Sequence, residues 1–131
     1  MAIFVKKQDK FIGLAEKLFD TEREMHNLIE NNLEELFGLK FVAREFAPQG
    51  DFRIDTVAFD SDQKSFVIIE YKKGTNWSVI DQGFSYLSLL LDRKADFVLE
   101  LNEKHNERFV PRDINWEASR VIFISQSFGK F

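Results

Sequence analysis

The stretch Arg53-Ile54-Asp55-Thr56-Val57-Ala58-Phe59-Asp60-Ser61-Asp62-Gln63-Lys64-Ser65-Phe66-Val67-Ile68-Ile69-Glu70-Tyr71-Lys72 decides the fold. β-Branched and aromatic residues dominate both arms, and Asp60 to Lys64 is turn chemistry, so the segment reads as a hairpin of strands 52–59 and 65–72. The second arm is apolar on both alternating faces, Phe66 and Ile68 on one, Val67 and Ile69 on the other. That pattern marks a central strand covered from both sides. If Asp60 faces Ser65, the register carries Thr56 to Ile69 and Asp55 to Glu70, and directly opposed Cβ atoms lie about 4.5–5.5 Å apart. A slip of one residue would turn Asp55 to the other face. Glu70 and Lys72 are two apart on a strand and leave the same face, so two carboxylates and an ammonium converge on one point.

Apposed carboxylates repel unless a cation lies between them, and a divalent metal meets that need. The chain has no cysteine, so thiolate ligands are excluded, and oxygen ligands point to Mg²⁺ or Mn²⁺. Hydrolysis of a phosphodiester needs an activated water, neutralisation of developing charge and help for the leaving oxygen, all of which metal ions supply. Lys72 is placed to orient the water or offset phosphate charge. The plain alternative is that Glu70 and Lys72 form a solvated ion pair. Asp55 argues against it, because a carboxylate inside an apolar strand is costly without a partner.

Upstream of the hairpin, Met25, Ile29, Leu33 and Leu36, reaching back to Leu18, form a helical stripe from Thr21 to Phe37. Asp20 or Thr21 is the N-cap and Gly38 the stop. Residues 39–46 read as a short strand, broken by Pro48-Gln49-Gly50. Downstream, a helix is expected from Ser78 to Leu91, with Ser78 and Asp81 resembling a capping box and Ile80, Phe84, Leu87 and Leu91 as its apolar stripe. Residues 97–101 read as a strand, 102–117 as a polar loop and 120–125 as the last strand. The fold class is therefore α/β, with a mixed sheet flanked by helices.

Arg53-Ile54-Asp55, the turn, and Val67-Ile68-Ile69-Glu70-Tyr71-Lys72-Lys73 together resemble the PD-(D/E)xK phosphodiesterase superfamily, closest in pattern to archaeal and bacterial DNA-repair endonucleases. Glu22, in Glu22-x-x-Met25-x-x-x-Ile29-x-x-Asn32, is similar to that superfamily's helix motif, and Gln82-x-x-x-Tyr86 to its last one. Ile54 stands where the superfamily's pattern has Pro. The resemblance covers residues 21–100 and implies a restriction-endonuclease-like three-layer core. It also implies a Mg²⁺- or Mn²⁺-dependent endonuclease acting on DNA in repair, restriction or defence. Asp55, Glu70, Lys72, Glu22 and Gln82 are then the catalytic set, with Asp55, Glu70 and Glu22 on the metal. Arg53, Lys73 and Tyr86 are then the substrate-binding residues.

Helical spacing puts Glu22 on the apolar stripe with Met25 and Ile29, where it reaches the sheet, while a first-turn acid favoured by the helix dipole explains it equally well. Glu30 is its rival and reads as a solvated helix residue. Gln82 and Tyr86 share a flank beside the main stripe, suited to a phosphate or a water, or simply polar. His26 and His105 stand without recognisable ligand spacing and read as surface or core residues. Gly74 reads as a strand end. The 15 Phe residues, at strand and helix spacing, read as core. Trp77 reads as core, or as a stacking platform for an unpaired base. Arg53, Lys73 and Arg44 are the local basic residues.

A chain of 131 residues with 44% hydrophobic and 31% charged content is long enough for one core. One domain over 1–131 is expected, alone or as the N-terminal part of a longer protein. No apolar run reaches the roughly 20 residues of a membrane span, and the N-terminus lacks a secretory pattern, so a cytoplasmic location off the membrane is expected. A formal charge of −4 is unusual for unaided nucleic-acid binding. It favours affinity supplied by a further domain, a protein partner or a homodimer. It also keeps open two other readings, an inactive nuclease-fold module that binds nucleic acid or protein, and an assembly domain with a buried ion network.

Overall fold

A computed structural model describes residues 2–72 and 79–126. Lys73, Gly74, Trp77 and Ser78 lie outside them, as does the side chain of Ile80. The hairpin forms in the expected register. Strand β3 (Lys40–Phe46), β4 (Ile54–Asp60), β5 (Ser65–Lys72) and β6 (Arg120–Ser125) make one four-stranded sheet in that order. β3–β4 and β4–β5 are antiparallel and β5–β6 is parallel. The turn is set by Asp60, whose Oδ1 accepts the N–H groups of Asp62 and Gln63 at 3.0 and 3.1 Å. From there the pairs run Asp60–Ser65 to Thr56–Ile69. β5 is central and buried from Ser65 through Tyr71.

Both faces of the sheet are covered, giving three layers. Helix α1 (Glu22–Asn31) and the short α2 (Leu33–Phe37) cover one face, where Met25, Leu33 and Leu39 pack on Ala58, Val67, Ile69 and Tyr71. On the other, α3 (Val79–Asp92) and α4 (Lys94–His105) bring Tyr86, Leu90, Phe97 and Leu101 against Val57, Phe59, Phe66 and Ile68.

Four expectations need correction. The helix 21–37 is two helices. Asn32 leaves helical geometry (φ −128°, ψ 25°) while its Nδ2 donates to the Leu28 carbonyl at 2.8 Å, so its side chain competes with the backbone. Thr21 is the cap, accepting the Glu24 N–H, and Gly38 closes α2 at φ 67°; Leu18 and Leu36 are exposed rather than part of a buried stripe. Residues 97–101 are helical: Phe97, Val98 and Leu101 are buried while Leu99 is exposed, a helical period mistaken for a strand run. α3 is rolled away from its expected stripe, with Phe84 and Leu91 exposed and Gly83, Tyr86, Leu89 and Leu90 inward. Finally, the expected loop 102–117 begins with the last turn of α4, and the segment after His105 contributes to the core through Ile114, Phe109 and Trp116, whose ring stacks on Phe66.

The N-terminal residues, to which the sequence assigned no element, form a separate hairpin of β1 (Ile3–Lys7) and β2 (Lys10–Leu14) with every residue exposed. No helix among the described residues is long and apolar enough to cross a membrane.

Gly83 explains the roll of α3. A Cβ there would stand 3.1 Å from the Phe123 ring of β6, so glycine lets the helix come this close to the sheet without displacing that ring. Alanine would gain helix propensity but would require the Phe123 ring to give by a few tenths of an ångström. Valine adds two methyls and a β-branch. Gly83→Val should destabilise the chain by roughly 1–3 kcal/mol in urea unfolding. An unchanged midpoint would show that the close approach is not required.

Candidate active site

The ladder between β4 and β5 gives way to side chains at the end where α1 and α3 begin. Beyond the last backbone pair, Thr56–Ile69, the Asp55 N–H donates to Glu70 Oε1 at 2.8 Å and the Tyr71 N–H donates to Asp55 Oδ2 at 3.2 Å. Each carboxylate thus takes a backbone donor of the opposite strand, and the two acids are fixed relative to each other. Asp55 is half-buried and Glu70 is 3% exposed.

α1 reaches this point from the layer on the Tyr71 side. Its first residue, Glu22, and His26 one turn later lie together, with His26 Nε2 3.5 Å from Glu22 Oε1. That separation is too long to count as a good hydrogen bond, and Nε2 is buried with no hydrogen-bond partner among the described residues. One donor atom from each of Glu22, His26 and Asp55 falls within 4.8 Å of the others. Glu70 sits beside this group, held on the Asp55 N–H, and is not a member of it. Lys72 is half-buried at the end of β5, in register with Ser125 of β6, and forms no ion pair with a described residue.

α3 approaches from the opposite layer. Tyr86 is buried, its hydroxyl 3.5 Å from the Arg53 carbonyl and interacting with the Glu70 carboxyl. Gln82, one turn earlier, is half-buried, and its Oε1 is enclosed without a hydrogen-bond partner. Arg53 is largely exposed, 4.0 Å from Glu45. Lys73 lies outside the described residues.

Burial is the main force on the site's protons. It pushes the Glu70 carboxyl up to about 7, with the Asp55 carboxylate adding to the effect and the Asp55 N–H opposing it. Burial, and the charge of Glu70 next to it, also holds the Tyr86 hydroxyl well above its ordinary range, so it stays a donor.

Two residues read otherwise from sequence turn out to matter. His26 is not isolated: the only sequence signal was its i, i+4 spacing from Glu22. Glu30 is not solvated. It is buried, accepting Arg44 Nε at 2.8 Å and the Thr56 hydroxyl at 2.9 Å. Arg44 is thereby committed to Glu30 and Asn27. His105 contacts the Phe41 carbonyl, away from the site.

The donor set suits a divalent cation. Two carboxylates and an imidazole whose Nε2 lacks a partner make a mixed oxygen–nitrogen set, which fits Mn²⁺ better than the strictly oxygen-seeking Mg²⁺.

Comparison with known proteins agrees with the architecture. The fold is similar to that of a repair endonuclease. The solved structure of a repair endonuclease from Pyrococcus abyssi matches 98% of the chain at 19% identity and a TM-score of 0.52, the chain covering 57% of that protein. The EndoMS–dsDNA2 complex matches 96% of the chain at 23% identity and a TM-score of 0.55, over 42% of that protein. An uncharacterized protein of Haemophilus influenzae is 44% identical over all 131 residues, and the chain spans 43% of its length. No family model matches the sequence.

The raised Glu70 value has a consequence for the metal-free chain. Below about pH 4.5 both folded and unfolded states carry the proton. Between about 4.5 and 7 the unfolded state loses it while the folded state keeps it, so stability falls as pH rises through this window and levels off above it. The difference is on the order of 3 kcal/mol. With EDTA present, Glu70→Gln should remove that part of the decline in denaturant midpoints between pH 4.5 and 7.5. A variant profile as steep as the unsubstituted one would contradict the assignment.

Proposed function

We propose that this chain is a metal-dependent PD-(D/E)xK phosphodiesterase domain that cleaves DNA. The observation that carries the reading is the convergence of Glu22, His26 and Asp55 beside Glu70, at one end of a repair-endonuclease-like sheet. Glu22, His26 and Asp55 would hold Mn²⁺ or Mg²⁺, and Glu70 is the adjacent carboxylate that extends the oxygen set. When bound, such a cation neutralises phosphate charge and makes a bound water acidic enough to attack at neutral pH.

The chain's own groups divide the remaining work. Glu70 fixes the Asp55 backbone, and the Tyr86 hydroxyl steadies Glu70. Lys72 supplies a positive charge toward the scissile phosphate and orients the attacking water. Gln82 offers an enclosed, unpaired carbonyl oxygen that can hold a water. Arg53 and Lys73 are the residues set to meet the DNA backbone. DNA as substrate draws support from EndoMS, a protein of similar fold solved with double-stranded DNA.

A second reading keeps the fold and drops the chemistry, as a module that binds nucleic acid or protein. The net charge of −4 favours its protein-binding form, since an acidic chain gains little from counterion release on nucleic acid.

Cleavage of linear, flapped and single-stranded DNA separates the two. The catalytic reading expects cleavage with Mn²⁺ or Mg²⁺, none with EDTA, and a loss of about 100-fold or more in Asp55→Ala and Lys72→Ala. Equal cleavage by the unsubstituted chain and Lys72→Ala would assign the activity to a contaminant.

A further inference from the structure

Tyr71, the residue between Glu70 and Lys72, points its side chain to the opposite face of the sheet from theirs. It is 1% exposed, packed in the α1-side core with Met25, Val67 and Ile69. Three contacts leave it. Its N–H donates to Asp55 Oδ2 at 3.2 Å. Its ring stacks on the His26 imidazole, with centroids 3.9 Å apart and planes 30° from parallel. Its hydroxyl is 3.1 Å from the Thr56 hydroxyl, which donates to Glu30 Oε1; Glu30 Oε2 in turn accepts Arg44 Nε.

The geometry points to Tyr71 as the positioning residue of the candidate cation site, its backbone setting the Asp55 carboxylate and its ring setting the His26 imidazole. This rests on the proposed metal-dependent reading. Asp55 comes from β4 and His26 from α1, and among the described residues no direct hydrogen bond joins them. Tyr71 touches both, by a hydrogen bond to Asp55 and a ring stack on His26. The Thr56–Glu30–Arg44 chain then gives a purpose to a buried carboxylate that the chemistry does not use. It holds the Tyr71 ring at one end while Glu30 ties α1 to β4. Because Glu30 and His26 are four residues apart on α1, the same helix turn is pinned by hydrogen bonds at Glu30 and by stacking at His26. Outer-shell groups of this kind matter to metal sites because they fix the angle at which a ligand is offered.

The test measures Mn²⁺ binding to the full chain by calorimetry, with the His26 ring-proton shifts read by NMR in the metal-free state. Tyr71→Leu removes the ring and keeps the backbone donor. Tyr71→Phe restores the ring. Thr56→Val breaks the hydroxyl chain without touching the ring. Tyr71→Leu should weaken Mn²⁺ by about 10- to 100-fold, and Tyr71→Phe should recover most of that loss. The upfield ring-current shift of the His26 protons should be present in the unsubstituted chain and Tyr71→Phe and absent in Tyr71→Leu, a signature that a merely stabilising residue would not move. Should Tyr71→Leu fail to fold, Tyr71→Met decides, with a comparable loss of Mn²⁺ binding expected and binding within twofold of the unsubstituted chain overturning the role; Thr56→Val, which like Tyr71→Phe keeps the ring, should retain most of the binding. Binding in Tyr71→Leu within twofold of the unsubstituted chain would likewise overturn it while leaving the metal site intact. If the unsubstituted chain takes up no Mn²⁺, the metal-dependent reading falls, and the role of Tyr71 with it.

Discussion

Where the β4–β5 ladder ends, two carboxylates take over from backbone carbonyls, and the rest of the site depends on that exchange. Asp55 accepts the Tyr71 N–H and Glu70 accepts the Asp55 N–H. Backbone donors satisfy part of each acid's demand, as charge-assisted bonds do, but they do not cancel the cost of holding two carboxylates in a half-buried place. The balance shows in Glu70, which is pushed to near neutrality despite its N–H partner. A buried acid that resists ionisation beside a second acid is a site with a deficit of positive charge. The unpartnered His26 Nε2 lies on the same side of that deficit.

The sheet makes the arrangement possible by bringing two layers to one end. α1 delivers Glu22 and His26 from the Tyr71 face, while α3 delivers Gln82 and Tyr86 from the Glu70 face. Alternation along β5 sends Glu70 and Lys72 one way and Tyr71 the other, so three consecutive residues serve both layers. Gly83 sets how near α3 comes, and Glu30 sets how firmly α1 is tied down. The site is thus an edge feature of a packed core, and core substitutions some distance from Asp55 reach it through these two contacts.

The hairpin was legible because its signals agree: the Asp60 turn, the β-branched arms and the apolar parity of β5 all fix one register. α3 was legible as a helix but not in its roll. It is apolar on most of its circumference, and Phe84, Leu87 and Leu91 compete with Tyr86, Leu89 and Leu90 for the buried face. Only the contact between Gly83 and Phe123, a long-range fact, decides between them. α4 was misread because Phe97-Val98-Leu99 is β-like locally, although Lys94-Ala95-Asp96 before it and Lys104-His105-Asn106 after it carry helix-end chemistry. His26 and Glu30 could not be placed from α1 alone, since their partners Tyr71, Thr56 and Arg44 belong to three other strands. Charge on a helix says little until the surface it faces is known.

The acidity of the chain bears on the order of events at such a site. Glu22, Asp55 and Glu70 stand together. Of the nearby basic groups among the described residues, Arg44 is spent on Glu30 and Arg53 is out in solvent, which leaves Lys72. A phosphate approaching this cluster without a cation meets net repulsion of the sort that costs most where water is excluded. On the proposed reading, cation and phosphate binding are therefore coupled, each raising the affinity for the other by the same factor. On that reading the task of these residues is to present a cation in a geometry that Tyr71, Glu70 and the end of a β-ladder hold fixed.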